Sequence, residues 1–237
     1  MRIPASILGT VGAVALASAA QAALINLGPG SFTPAASVIT FSEPGRNIGD
    51  TDPIYAIAGN TISFGEYFLG QTVVGGGVRT LTGSPTTPLS LVQNGNAFIT
   101  TDGANPTSPV LSGTPRFNGP ISFTFATPVA AVGLSGGYFD AIGATTIEAF
   151  DSAGLSLGSI VNSAIGVEFY GLFDSSGSNI AGVSFYITGS EPAGFAIDNV
   201  TFGDADVVVN APEPATLAAF GAMLAGLGLS RRARRQA

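Results

Sequence analysis

The chain has 237 residues, room for one domain or at most two, with 33 glycines, 15 prolines, 10% charged residues and a formal net charge of −7. It contains no cysteine, histidine, tryptophan or lysine, which excludes a disulfide framework, Ser-His and Cys-His catalysis, histidine metal sites and histidine pH switching. Between residues 23 and 210, 14 acids stand against Arg46, Arg79 and Arg116, a balance of −11 that argues against nucleic acid or anionic lipid and leaves divalent cations or neutral sugars as partners.

Residues 1–22 read as a secretory signal peptide. Arg2 supplies the positive start, residues 7–16 form an apolar run too short for a comfortable membrane span, and Ala20-Gln21-Ala22 places small residues at the cleavage positions. Export through the Sec machinery and cleavage by signal peptidase after Ala22 are expected, with an uncleaved N-terminal anchor as the alternative. From residue 23 to 203 the pattern is β. Val38-Ile39-Thr40-Phe41 is a short strand ended by Glu43-Pro44-Gly45, and residues 46–53, with Asn47, Gly49, Asp50 and Asp52, are turn-like. Over 61–69, Ile62 and Phe64 alternate with Ser63 and Gly65, as on a half-buried strand. Gly75-Gly76-Gly77 interrupts, residues 78–81 are a further strand candidate, and residues 83–88 form a loop. Residues 89–92 and 97–100 flank Asn94-Gly95-Asn96, a hairpin signal. Residues 101–120, with Pro106, Pro109, Pro115 and Pro120, read as a surface loop.

The second half is more regular. Ile121, Phe123 and Phe125 share one face and Ser122 and Thr124 the other; Thr127-Pro128 leads into a strand over 129–134. Strands over 145–150 and 155–161 bracket the turn Asp151-Ser152-Ala153-Gly154, and a strand over 167–173 ends in a turn at 174–178. Val183, Phe185 and Ile187 alternate with Ser184, Tyr186 and Thr188, and residues 195–202 form the last strand. Many short strands, no amphipathic helix and period-2 faces predict an all-β, antiparallel β-sandwich over residues 23–203, followed by a linker at 204–211.

Residues 212–237 carry the sharpest signal. Pro212 and Pro214 hold Glu213 extended between them. The uncharged run 215–229 would make a helix of about 22 Å at 1.5 Å per residue, a marginal span for a hydrocarbon core about 30 Å thick. Arg231, Arg232, Arg234 and Arg235 follow it and would stay on the cytoplasmic side. Ala218, Ala222 and Gly226 recur every fourth residue, a small-residue face open to another membrane helix. Motif, short transmembrane helix and arginine-rich end, in that order, resemble the PEP-CTERM sorting signal of exopolysaccharide-producing Gram-negative bacteria, a tail also described as an ice-binding protein C-terminal segment. The resemblance implies processing by exosortase, a membrane protease-transpeptidase. Ice binding does not follow from it, since Thr80-Leu81-Thr82 is a single Thr-x-Thr where a flat ice-binding face needs repeated ranks.

The middle of the chain resembles the jelly-roll, galactose-binding-like and carbohydrate-binding-like domains that precede such tails. The matching stretches are Val38-Ile39-Thr40-Phe41-Ser42-Glu43, Ile121-Ser122-Phe123-Thr124-Phe125, Ile147-Glu148-Ala149-Phe150-Asp151 and Phe195-Ala196-Ile197-Asp198-Asn199-Val200. On an unbroken strand Asp198 would share a face with Val200 and Phe202, so either the strand bulges near Asn199 or a carboxylate points into apolar surroundings. In the domains this region resembles, an acid in the closing strand and one after the first strand hold a structural Ca²⁺; the matching positions are Asp198 and Glu43. A surface Asp198 beside a turn, or one paired with Arg46 or Arg116, is the alternative. Asp50-Thr51-Asp52 and Asp204-Ala205-Asp206 are expected to be solvated turns, and Tyr186 is the best placed of the five tyrosines to stack on a sugar, although cross-strand packing is the role expected of it. These features predict a non-catalytic, exported protein sorted to the cell surface or an exopolysaccharide matrix as a binding or adhesion module. A glycoside hydrolase working through a carboxylate pair, or a plainly C-terminally anchored envelope protein, are the alternatives.

Overall fold

In a computed structural model, residues 24–104 and 108–209 are described. The expected signal peptide with Ala20 and Ala22, and the tail with Pro212, Glu213, Pro214, Arg231, Arg232, Arg234 and Arg235, lie outside the described residues. In chain order the strands are β1 (Leu24–Asn26), β2 (Ser37–Ile39), β3 (Ile54–Ile57), β4 (Asn60–Gly65), β5 (Tyr67–Phe68), β6 (Thr72–Val74), β7 (Thr80–Thr82), β8 (Leu91–Val92), β9 (Phe98–Thr100), β10 (Val110–Ser112), β11 (Ile121–Val129), β12 (Ala131–Phe139), β13 (Thr145–Phe150), β14 (Ser156–Val161), β15 (Gly166–Asp174), β16 (Ile180–Ile187) and β17 (Ala196–Gly203). The helical pieces among the described residues are two single 3₁₀ turns, Pro29–Ser31 and Ala205–Val207. No described helix is long and apolar enough to cross a membrane.

Two antiparallel sheets carry the fold. One runs β1-β15-β12-β17-β10-β9, with β2 also paired to β17; the other runs β14-β13-β16-β11-β4-β3. The all-β, antiparallel, sandwich-like expectation therefore holds. The core lies between the inward faces of the two sheets, where Ile62, Phe64, Phe123, Val183 and Phe185 pack with Val132, Leu134, Tyr170, Leu172 and Ile197. Its aromatic rings meet edge to face, Phe185 with Phe195 at 4.6 Å and with Tyr170 at 5.2 Å, contacts worth about 0.5–1.5 kcal/mol each beyond burial.

Two satellite pairs, β5–β8 and β6–β7, lie outside this sandwich. The first covers part of the outer face of the second sheet, so Ser122 and Ser184 are buried despite pointing away from the core. They answer that burial with a 2.8 Å bond between their hydroxyls and one of 3.2 Å from Ser122 to the Glu66 carbonyl. A Cβ on Gly182 would come within 2.7 Å of both Leu89 and Phe68, so glycine is what lets the extra layer sit down.

Three local expectations are corrected. Residues 101–120 are not all surface loop, because Val110, Leu111 and Ser112 form a fully buried strand joined to β9 and β17. Tertiary pairing there outweighs the proline-rich surroundings. Asn94-Gly95-Asn96 does not close a hairpin: β8 on one side pairs with β5, and β9 on the other with β10. The side chains of Asn94 and Asn96 are turned instead toward Glu66. Residues 204–209 do not simply lead away. Val207 and Val208 are buried with Ala130, Ala131 and Phe173, and the Val209 N–H donates to the Ser31 carbonyl at 2.8 Å. The hairpin of β13 and β14 around residues 151–154 forms as expected.

Asp174, Ala130 and Gly203 lie at one end of the sandwich, while Ile121, Thr145 and Phe195 lie at the other.

Candidate functional site

The flank of β17 explains its central kink. Val200 to Phe202 pair with β2, while Ile197 pairs with β10, so Asp198 and Asn199 sit where one partner strand gives way to the next. On the other flank the register steps from Gly133 opposite Thr201 to Ser135 opposite Asp198, leaving one extra residue in β17. Asn199 takes it up with φ +51°, in the left-handed region that asparagine tolerates. Of the two alternatives posed by the sequence, both are found: the strand bulges and the carboxylate is buried. Asp198 is fully buried, and it accepts from the Asn199 N–H at 2.7 Å and the Asn199 Nδ2 at 3.2 Å.

The chain leaving β2 passes this bulge under strain of its own. Phe41 is at φ +57° and almost wholly buried; holding a bulky residue there costs about 1–2 kcal/mol. Glu43 fastens the corner, its Oε1 accepting from the Thr40 N–H at 2.6 Å and the Thr40 hydroxyl at 3.1 Å. Its other oxygen, Oε2, is buried with no hydrogen-bond partner, and so is the Tyr55 hydroxyl. Burial pushes the Tyr55 hydroxyl above the usual phenol range, with the Glu43 charge adding to the effect and Arg46 opposing it. The Arg46 guanidinium lies 4.3 Å over the Tyr55 ring and donates to the Ile54 carbonyl, whereas Arg116 donates to the Thr101 carbonyl and stacks on Phe117. Both arginines are thus engaged away from Asp198.

This corner suits a hard cation in one respect. Glu43 and Asp198 are oxygen donors on adjoining segments, and the partnerless Glu43 Oε2 is the kind of atom an ion or a water would satisfy. Among the described residues no three acidic side chains gather as a metal cluster. Backbone carbonyls would have to complete the shell.

A second constellation, invisible to sequence reasoning, is built around Glu66. Gly65 ends β4 where a Cβ would lie 2.5 Å from the Val92 carbonyl, so the next residue is drawn in beneath β8. Glu66 is only 2% exposed. Its Oε1 accepts from Arg79 Nη1 at 3.2 Å, and its Oε2 from Asn94 Nδ2 at 2.6 Å and Asn96 Nδ2 at 2.7 Å. Arg79 is in turn held by the Thr114 carbonyl at 3.3 Å from Nη1 and by the Asn118 carbonyl at 2.8 Å from its own N–H. Gln71 Oε1 accepts the Phe68 N–H at 2.9 Å, which fixes the orientation of its amide. An open cavity of about 330 Å³ lies against these groups, walled by the β6–β7 hairpin.

The remaining sequence candidates have structural work. Asp52 accepts the Gly95 N–H at 2.6 Å and the Ala97 N–H at 3.2 Å, Asp50 accepts the Asn47 N–H at 3.0 Å, and Asp204 accepts the Ser178 hydroxyl at 2.7 Å. Tyr186 donates to Glu148 Oε2 at 3.0 Å across β16 and β13, a packing role rather than a sugar platform. Glu191, unremarked in the sequence, is 1% exposed and accepts from the Asp140 N–H at 2.9 Å; burial raises its carboxyl above the ordinary value despite the backbone donors.

No family model and no curated protein matches the chain. Among solved structures, the enzymatically active domain of bacteriophage CBA120 tailspike protein 4 aligns over 65% of this chain at 20% identity and a TM-score of 0.27. This chain spans 20% of that one, and a likeness so slight carries no argument about fold or function.

Proposed function

We propose that the protein is an exported, non-catalytic binding module, sorted through a PEP-CTERM tail by an exosortase and carried at the cell surface or in an exopolysaccharide matrix. The observation that carries this reading is the order of the last residues: Pro212-Glu213-Pro214, an uncharged run, then Arg231, Arg232, Arg234 and Arg235. The described β-sandwich, whose last strand β17 closes at Gly203, lies ahead of that motif in the chain. Its strong acid excess and lack of histidine and cysteine fit a partner recognised by hydroxyl groups better than one recognised by charge. Glu43 and Asp198 would hold a structural Ca²⁺, which would stiffen the strained corner beside β2 in a domain without disulfides.

The test is processing in a Gram-negative host that possesses an exosortase. With Pro212, Glu213 and Pro214 all replaced by alanine, the full-length chain should accumulate in the inner membrane, while the parent appears outside it and lacks its final arginines. Unchanged processing and location in the triple variant would refute the sorting assignment.

A further inference from the structure

We infer that the cavity beside Glu66 is a binding site for a neutral glycan, taking the vicinal hydroxyls of one sugar ring; the inference rests on the surface-binding role proposed above. Its volume of about 330 Å³ falls within the range of small-ligand sites. The chemistry of its wall narrows the ligand further.

Glu66 and Arg79 form the one ion pair among the described residues, and it lies at the edge of this cavity. The Glu66 carboxylate is buried, but the Arg79 side chain keeps 32% of its surface exposed. Arg79 spends Nη1 on Glu66 Oε1 and the Thr114 carbonyl, leaving the other N–H groups of its fork for a ligand. Gln71 uses its carbonyl oxygen on Phe68, which leaves its Nε2 as the free end. Glu66 Oε1 accepts a single bond from Arg79 and has capacity for a second. Tyr67, Thr72, Val73, Gly75 and Asn94 also line it, and Gly75 at φ +107° begins the turn from β6 to β7.

Charge then decides between ligand classes. The carboxylate and guanidinium cancel each other at the wall, so neither an anion nor a cation finds an unbalanced counter-charge. Anions are disfavoured further by the −11 balance of residues 23–210. A hydroxyl both accepts from Arg79 and donates to Glu66, and two adjacent hydroxyls match two such groups. A ring edge carrying a diol satisfies both; a lone carboxylate or ammonium satisfies only one.

The experiment uses the full chain purified in a detergent without a sugar headgroup. Calorimetric titration with neutral gluco-, galacto- and manno-oligosaccharides, with the free hexoses, and with oligogalacturonate distinguishes the classes. One neutral series should bind, its oligomer at least as tightly as its free hexose, with oligogalacturonate weaker. Arg79→Lys, which keeps the charge but loses the fork, should weaken binding about tenfold or more, and Tyr67→Phe, which removes one hydroxyl from a lining residue, should weaken it about threefold. Because Tyr67→Phe leaves β5 and its core contacts in place, it remains informative if Arg79→Lys fails to fold. Glu66→Gln should shift preference toward oligogalacturonate by leaving the guanidinium charge uncompensated. Absence of neutral-glycan binding, tighter binding of oligogalacturonate or of free hexose by the parent, or affinity untouched by both Arg79→Lys and Tyr67→Phe would overturn the assignment. None of these variants touches the tail, so the sorting reading stands or falls separately on its processing.

Discussion

Two buried carboxylates, Asp198 in β17 and Glu66 after β4, show two ways for one sandwich to keep an acid out of water. Asp198 takes two hydrogen bonds from the residue that follows it, made possible when Asn199 turns left-handed at the bulge. Glu66 gathers its donors from Arg79, Asn94 and Asn96, 13, 28 and 30 residues away. The first set of bonds lies within one strand. The second clamps a satellite hairpin and the segment ahead of β9 onto the second sheet, and it brings an arginine to the edge of a cavity. What the difference teaches is that a bulge supplies an acid with donors from its own strand, whereas a charge held by remote partners also holds those partners together.

That contrast can be broken by experiment. Glu66→Ala should have the largest effect, about 2–4 kcal/mol, because it strands a guanidinium and two amides that lose their acceptor. The urea midpoint measures it, and a loss below about 1 kcal/mol would mean that the long-range clamp contributes little. Next comes calcium. If Glu43 and Asp198 hold the ion, Ca²⁺ at a hundred times its Kd stabilises by about 2.7 kcal/mol, seen as a higher Tm that EDTA reverses and Glu43→Gln abolishes. Equal Tm with and without Ca²⁺ would remove the ion from the account. Asp198→Ala should cost less than Glu66→Ala, about 1–2 kcal/mol, and it frees the Asn199 N–H inside the sheet. A cost exceeding that of Glu66→Ala would reverse the comparison.

The smallest effect concerns a third buried acid. Among the described residues Glu191 accepts from backbone donors, those of Asp140 and Ala141, and burial raises its carboxyl in the folded state. A raised carboxyl means that the folded protein binds the proton more tightly than the unfolded chain. Its contribution to stability is therefore fully present below the unfolded value near 4.5 and is lost as pH rises through the higher folded one. Melts from pH 4 to 8 should show a shallower decline over that window in Glu191→Gln than in the parent. Identical slopes would show that the backbone donors offset burial.

The legible parts of the fold were those whose pattern is local. Alternation of Ile121, Phe123 and Phe125 set β11, and Asp151 to Gly154 set the β13–β14 turn. The anomaly of Asp198 among apolar neighbours pointed to a bulge or a buried charge, and both are present. β10 was not legible, because three buried residues between prolines carry no periodicity until β9 and β17 flank them. The Glu66 site was less legible still. Asn94 and Asn96 look like turn residues when read along the chain, and only the folding of β8 against β5 brings them to the carboxylate.

The exposed turn between β6 and β7 has a practical consequence for engineering. Exposed loop tips tolerate inserted residues, and a side chain built on Gly76 would meet nothing within 4 Å. A short tag inserted there would sit next to Gly75 at the Glu66 cavity, ready to bear a fluorophore or a fused reporter.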